Sequence, residues 1–558
     1  MMRRTNVSWL AALLASALLV AATNGIADAR TPNKAKIPSG GTLVLGASQE
    51  ADCADWINLC AGSSWGQWTM QEQTIPRPFN YAMKKGNWTE VPSPLMAGMP
   101  TVKTVNGRQV VTYKINPKAV WSDGVAITSD DFAYTLNQIV NGEDILDSTG
   151  YVNVDKIDTT DPKTAVMTFK AGEPFASWRT LFGPSAAILP SHILKGKDRR
   201  AEMADGYAWS GGPWLMSWEK GVAITLTPNP KYWGTKPKLD KVIFKFITNT
   251  SASFQAFESG EVLAIYPTPQ LDAVEKIKEG IPGSRATITA MTGNTEALWI
   301  NNEKPPFERR AIRQAFARSI DRDAVVKRLF GDIGVDKAVQ TLNPPILSRY
   351  SDTKAFAGYT RNLKKVASLM KGEGWAKNAK GFWEKKGKEM SFTINSTAGD
   401  KRRELTGEIL QEQLRSAGFK VSIDNMDAGD LFGEVLPTGD YQVALYAQVA
   451  TSLDPGLCAI ACSENIPGPL NDESGQNYQR INVKKLDPLL ETVDVDTNVK
   501  ERIRASKAAD VVMAEYMVSL PLDPLPNIFL YSKKIVGSVR DNPVLSPFWN
   551  MNMWGLKR

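Results

Sequence analysis

Histidine is almost missing from this 558-residue sequence, which has only His192, and cysteine is scarce, with four. One imidazole cannot build the histidine cluster that many transition-metal sites use. His192 lies in Leu189-Pro190-Ser191-His192-Ile193-Leu194, an apolar setting that suits a structural role better than a catalytic one. There is no Gly-x-Ser-x-Gly elbow and no glycine loop leading into Lys-Ser or Lys-Thr to cradle a phosphate. Acid pairs such as Asp130-Asp131 fall at a helix start, where the dipole favours negative charge. The 59 acids leave a carboxylate pair across a cleft as the remaining enzymatic route, and the reading kept is that the protein is not an enzyme. No cofactor and no metal-ligand set is assigned. Basic residues occur as scattered pairs, Lys84-Lys85 and Lys385-Lys386 among them, within a net charge of +7, so no nucleic-acid face is expected.

Long apolar runs are equally scarce. The one present, Trp9 to Ala22, follows Arg3-Arg4 and precedes Ala27-Asp28-Ala29, whose small residues suit signal peptidase. It is too short to span a bilayer comfortably. Residues 1–29 are therefore expected to be a signal peptide cleaved after Ala29, with a flexible tail over 30–37. Losing Arg3, Arg4 and Asp28 leaves a net charge of +6. No cysteine lies near the cleavage point, so a lipid anchor is not expected, and the mature protein should be periplasmic or extracellular. Disulfides are the default for an exported chain, and Cys53 with Cys60 and Cys458 with Cys462 each close a short loop. A four-thiolate zinc site is the alternative, with spacings that match no common knuckle well.

Aromatic residues are abundant, with 16 Trp and 14 Tyr. Trp65, Trp68 and Trp88 lie within residues 47–100, whose Trp, Gln, Pro and Met content reads as irregular surface or cleft wall. From Val110 onward short strands alternate with helices. Strands are expected at 110–115, 165–169 and 242–247, and a helix at 307–319 with Ile312, Phe316 and Ile320 on one stripe. Asp321 is placed to cap the next helix. A strand at 391–394, a helix at 402–417 ended by Gly418, and an alternating strand through Phe419, Val421 and Ile423 follow. This order indicates an α/β class.

Several words then occur in sequence. Trp121-Ser122-Asp123-Gly124 precedes a capping box, Thr128 with Asp131. Later come Gly211-Gly212-Pro213-Trp214, Asn229-Pro230-Lys231-Tyr232-Trp233-Gly234 and Ser259-Gly260-Glu261-Val262. Asn301 with Pro305-Pro306-Phe307, Ile312-Arg313-Gln314-Ala315, Gly475-Gln476-Asn477-Tyr478 and Phe548-Trp549-Asn550 complete the series. Together they resemble the extracellular solute-binding proteins of family 5, the peptide and nickel receptors of ABC importers. One departure is Leu263, where the family usually has an acid.

The resemblance implies an α/β, two-lobed periplasmic-binding-protein fold of class II with a hinge-closing cleft. Lobe I would be residues 38–297 with 71–211 as an extra subdomain, lobe II 298–522, and 523–558 a return to lobe I. Crossings near Leu298 and Leu522 would form the hinge. It also implies a monomer that captures a small ligand, an oligopeptide first, and passes it to ABC permease subunits in the membrane. A glycan or lipid-sugar, a metal chelate, and a structural or signalling role in the envelope are the alternatives. Peptide receptors of this kind hold the ligand ammonium with an acid just before an Asp-Pro. Here that stretch runs from Tyr446 to Asp454-Pro455, and Thr451 stands where the acid is expected, leaving Asp454 as a possible substitute or a turn residue. Arg402 and Arg403 are candidates for a ligand carboxylate or plain surface arginines. Trp65, Trp68, Asn477 and Tyr478 are candidate cleft residues, while Trp233 and Trp549 read as packing.

Overall fold

The computed structural model describes residues 37–51, 53–58, 64–142, 145, 148–183, 187–267, 269, 271–427, 430–450, 452–468 and 475–557. The expected signal peptide, Cys60 and Thr451 lie outside them. Among the described residues no helix is long and apolar enough to cross a membrane.

Two large apolar cores organise the chain. One gathers residues from Leu43 to Phe244 and then Phe529, Phe548 and Trp554 near the C-terminus. Its four-stranded sheet places Thr42–Ala47 parallel to Lys241–Phe246, followed by Ala223–Pro228 and Trp214–Glu219 in antiparallel order. A second, antiparallel four-stranded sheet in the order Thr101–Val105, Arg108–Lys114, Thr164–Phe169, Val154–Asp161 lies within residues 71–211. The alternation expected for half-buried strands is present, since Val111 and Tyr113, then Ala165, Met167 and Phe169, are fully buried.

The other core draws on residues from Phe254 to Leu530. Its five-stranded sheet runs Lys420–Met426, Ser391–Thr397, Val443–Val449, Asn294–Ile300, Leu520–Pro524. The first three are parallel, and Asn294–Ile300 is antiparallel to both its neighbours. The helix Lys401–Ala417 covers this sheet and ends at Gly418, whose φ of +102° is open to glycine at little steric cost. A three-stranded sheet of Ala264–Ile265, Asn527–Ser532 and Ser284–Thr289 supplies residues to both cores. The helix expected over 307–319 is shorter, Arg310–Ala317, and Asp321 caps the next one by accepting from the Ala324 N–H at 3.0 Å.

The words singled out in the sequence fold into joints. The Thr128 N–H donates to Asp131 Oδ2 at 2.9 Å, and the same carboxylate takes Trp121 Nε1, Ser191 N and Ser191 Oγ. A buried acid with four donors does more than cap a helix: it ties turn, helix and the Ser191 segment together. At Gly212 an added Cβ would come within 2.4 Å of the Gln73 carbonyl, so this glycine lets the hairpin approach the preceding helix closely. His192 Nε2 lies 2.7 Å from Asp123 Oδ2 at that turn, a structural pairing.

Residues 47–100 are more regular than their composition suggests. A helical stretch covers Ser64–Thr74, and an antiparallel hairpin joins Phe79–Lys84 to Asn87–Pro92. The helix contains a wide turn in which the Glu72 N–H bonds back to the Gln67 carbonyl five residues earlier. That insertion shifts the apolar period away from 3.6, which hides the helix from a periodicity reading.

Candidate functional site

A chamber of about 250 Å³ opens where the two cores face each other. From the first comes the Ser64–Thr74 helix, which presents Trp65, Trp68, Gln71 and Glu72 on one side, with Arg77 just beyond its end. Tyr266, Asn527 and the loop Asn542–Leu545 add to this wall. Opposite stand Gly293, Asn294, Val449 and Ala450, at the end of the antiparallel pair in which Asn294 registers with Val449. Gly293 is required there, because an added Cβ would lie 2.1 Å from the Ala450 carbonyl.

The aromatic wall is rigid. Trp65 and Trp68 meet edge to face at 5.3 Å, Trp68 meets Tyr266 at 5.4 Å, and Phe548 backs Trp65 at 5.9 Å. The polar end is less settled. Glu72 Oε2 accepts from Ser546 Oγ at 2.5 Å, while Arg77 approaches Glu72 Oε1 only to 3.8 Å. Burial pushes the Glu72 carboxyl up from 4.5 to about 7, against the opposing pull of Arg77 and the Ser546 hydrogen bond.

Trp65 and Trp68 are thus brought to the chamber. Trp88 instead packs on a small apolar cluster of Tyr81, Ile346, Leu347, Leu453, Val544 and Leu545, which draws on both sides of the interface. Trp233 and Trp549 are held through Nε1 by the carbonyls of Pro94 and Arg540, and flank an adjoining groove. Thr451 lies outside the described residues.

Six candidate residues are placed away from the chamber. Arg402 and Arg403 are not surface arginines: both pair with Glu296, at 3.3 and 2.7 Å, and the carboxylate they meet belongs to the chain itself. Asp454 is no free ammonium anchor, since Arg502 grips it at 2.7 and 3.1 Å and Ser177 Oγ donates to it at 2.5 Å. Asn477 is fully buried, with its Nδ2 on the carbonyls of Cys462 and Ile481, so it braces a loop rather than facing a cleft. Tyr446 is buried against Trp299 in a stacked pair, its hydroxyl accepting from Gln479. Tyr478 is half-buried against the second core and does not line the chamber.

Cys458 and Cys462 form a disulfide with a Cα–Cα distance of 4.6 Å, which removes them from any zinc site. Cys53 is also disulfide-bonded. Gln71, Glu72, Arg77, Tyr266, Asn294 and Asn542 escaped the sequence reading. The wide turn over Gln67–Gln71 left no regular helical spacing to mark Gln71 and Glu72 as neighbours of Trp65 and Trp68 on the chamber wall.

Comparison with known proteins agrees with this architecture. A family model described as "Bacterial extracellular solute-binding proteins, family 5 Middle" matches residues 92–459. The oligopeptide-binding protein OppA of Mycobacterium tuberculosis (strain H37Rv) is 25% identical over 523 residues, covering 91% of this chain and 83% of OppA. Among solved structures, the periplasmic EDTA-binding protein EppA superposes with a TM-score of 0.77 at 23% identity, covering 94% of this chain and 97% of EppA. AppA from Bacillus subtilis, solved with a nonapeptide, gives 0.69 at 20% identity over 94% and 100%.

Proposed function

The chain belongs to family 5 of the bacterial extracellular solute-binding proteins, and on that premise we propose that it captures a short oligopeptide in the chamber and delivers it to the permease of an ABC importer. Residues 38–297 with 523–558 act as one lobe, 71–211 being its extra subdomain, and 298–522 as the other. Bending near Leu298 and Leu522 opens and closes them. The protein is exported by a leader cleaved near Ala29 and works as a monomer. The observation that carries this reading is the chamber itself, a rigid aromatic wall facing a sheet end across two cores, with polar groups at one end. Ligand clefts usually measure about 300–1,000 Å³. At about 250 Å³ the chamber lies near the lower end of that range.

A second reading, an anionic metal chelate, is favoured by Arg77 at the chamber wall and by the fold shared with a protein described as EDTA-binding. The test is calorimetry with Trp68→Ala. The substitution should weaken ligand binding by about 1–3 kcal/mol, the value of a buried aromatic contact, and leave the melting temperature near that of the wild type. Unchanged affinity would remove the chamber from the function.

A further inference from the structure

The groove beside the chamber shares part of its wall. Glu72 and Arg77 line both spaces, so one acid and one base stand as the partition between them. The groove measures about 240 Å³, close to the 250 Å³ of the chamber. Ligand clefts usually measure about 300–1,000 Å³, a range that neither space reaches alone and that the two reach together. The described residues around the groove lie within 72–235 and 549–553, all on the first of the two lobes, so the movement that closes the chamber does not form it. It opens to solvent at Pro94 and Thr235, both exposed. The partition is weakly held. Ser93 Oγ donates to the Arg77 carbonyl and fixes the backbone there, but the guanidinium reaches the Glu72 carbonyl only at 3.5 Å and the Glu72 carboxylate only at 3.8 Å. Those distances lie at or beyond the limit of a hydrogen bond. Glu72 is clamped by Ser546 at 2.5 Å, which leaves Arg77 as the movable half.

We propose that this groove is an extension subsite, entered past Arg77, that takes an apolar or aromatic residue near the end of a peptide longer than the chamber holds. The proposal rests on the peptide reading above and adds a preference in length and side chain. Beyond the partition the walls are aromatic and uncharged: apart from Glu72 and Arg77, no charged residue lines the groove among the described residues. Tyr232 and Trp233 meet at 5.0 Å, with Trp549 on the same groove. The indole N–H groups of Trp233 and Trp549 are given to the Pro94 and Arg540 carbonyls at 3.0 and 3.2 Å, which fixes both rings, yet both residues stay half-buried. A rigid aromatic wall left partly uncovered gains most from an apolar ring laid against it. A charged side chain would lose water there without finding a partner. A sugar fits less well, because the Nδ2 groups of Asn550 and Asn552 are already given to the Ser538 and Thr235 carbonyls at 2.6 and 2.7 Å. The charged terminus of the peptide passes out to solvent at the rim formed by Pro94 and Thr235.

Calorimetry on the ligand-stripped full mature chain tests this. The probes are a mixed tripeptide pool, the same pool extended by Ala-Phe at the C-terminus or by Phe-Ala at the N-terminus, and both extended pools with Asp in place of Phe. One of the two Phe-extended pools should bind the wild type roughly fivefold to fiftyfold more tightly than the tripeptides, and its Asp counterpart should show no such gain. Trp233→Ala strips the groove wall and Asn80→Trp fills the groove from the hairpin side. Each should abolish the gain while tripeptide affinity stays at the wild-type value. Melting curves show which variants fold, and if Trp233→Ala does not, Asn80→Trp decides. Phe-extended pools that bind no more tightly than tripeptides would overturn the subsite and leave the peptide reading intact. So would a gain that Asp reproduces, a gain that survives in either folded variant, or tripeptide binding lost together with the gain. Binding of no peptide at all would overturn both.

Discussion

Arg402→Met should lower the unfolding free energy by about 3–5 kcal/mol, the cost of stranding a buried charge. Arg402 and Arg403 converge on Glu296, which is fully buried, with Asp400 at 3.1 Å from Arg402. Asp523 lies alongside, also fully buried, with neither carboxyl oxygen hydrogen-bonded. Burial and the neighbouring Glu296 push its carboxyl well up, so it carries its proton in the folded state. Two arginines then balance Glu296 and Asp400, and removing either arginine breaks that balance where no water can repair it. Glu296 and Asp523 face each other at the register shift between the strands that link the two cores, so the loss falls on the joint itself. A raised carboxyl binds its proton more tightly when folded, so this group's stabilisation is complete at acid pH and is lost as pH rises through its folded value. Denaturant midpoints should therefore fall in the variant, while loss of an exposed pair such as Lys485 with Glu515 should leave them unchanged. A shift below about 1 kcal/mol for Arg402→Met would mean that the cluster relaxes or admits water.

Arg502→Met is the second large effect. The Arg502 side chain is 2% exposed; it grips Asp454, donates to the Val493 carbonyl at 2.5 Å, and reaches Ala176 O and Ser177 Oγ across the interface at 3.4 and 3.3 Å. One guanidinium thus joins two stretches of the second core to the subdomain of the first. Without it Asp454 keeps, among the described residues, only Ser177, at a cost again of about 3–5 kcal/mol. Ser177→Ala separates the two roles: it removes the cross-interface hydroxyl for about 0.5–1.5 kcal/mol and leaves the Arg502–Asp454 pair in place. Small-angle scattering should show a larger radius of gyration for both variants, with the denaturant midpoint strongly lowered only for Arg502→Met. Equal compactness in all three proteins would mean that this bridge does not hold the lobes together.

The sequence was most legible where local chemistry decides structure. Gly418 ending its helix, Asp321 capping the next, and the alternation through Val111 and Tyr113 all depend on near neighbours. The family words were legible too, because each marks a joint such as the close approach at Gly212. The site was less so, and charge shows why. Arg403 next to Asp400 looks the same in sequence whether it faces a ligand or Glu296, which lies 107 residues away. Asp454 before Pro455 gives no hint of Arg502, 48 residues downstream. Trp65 and Trp68 could be placed because large aromatic residues in a cleft wall keep their character in any partner context. Glu72 and Arg77 could not, since an acid and a base five residues apart read as an ordinary exposed pair. Their importance comes from burial, which only the packed chain supplies.

The central claim, that the chamber between the lobes holds a short peptide, is tested most directly by mass spectrometry of the natively exported protein before and after denaturation. Short peptides with free C-termini, present in the native complex and released on unfolding, are the predicted result. A glycan or other non-peptide mass, released from the same protein, would contradict it.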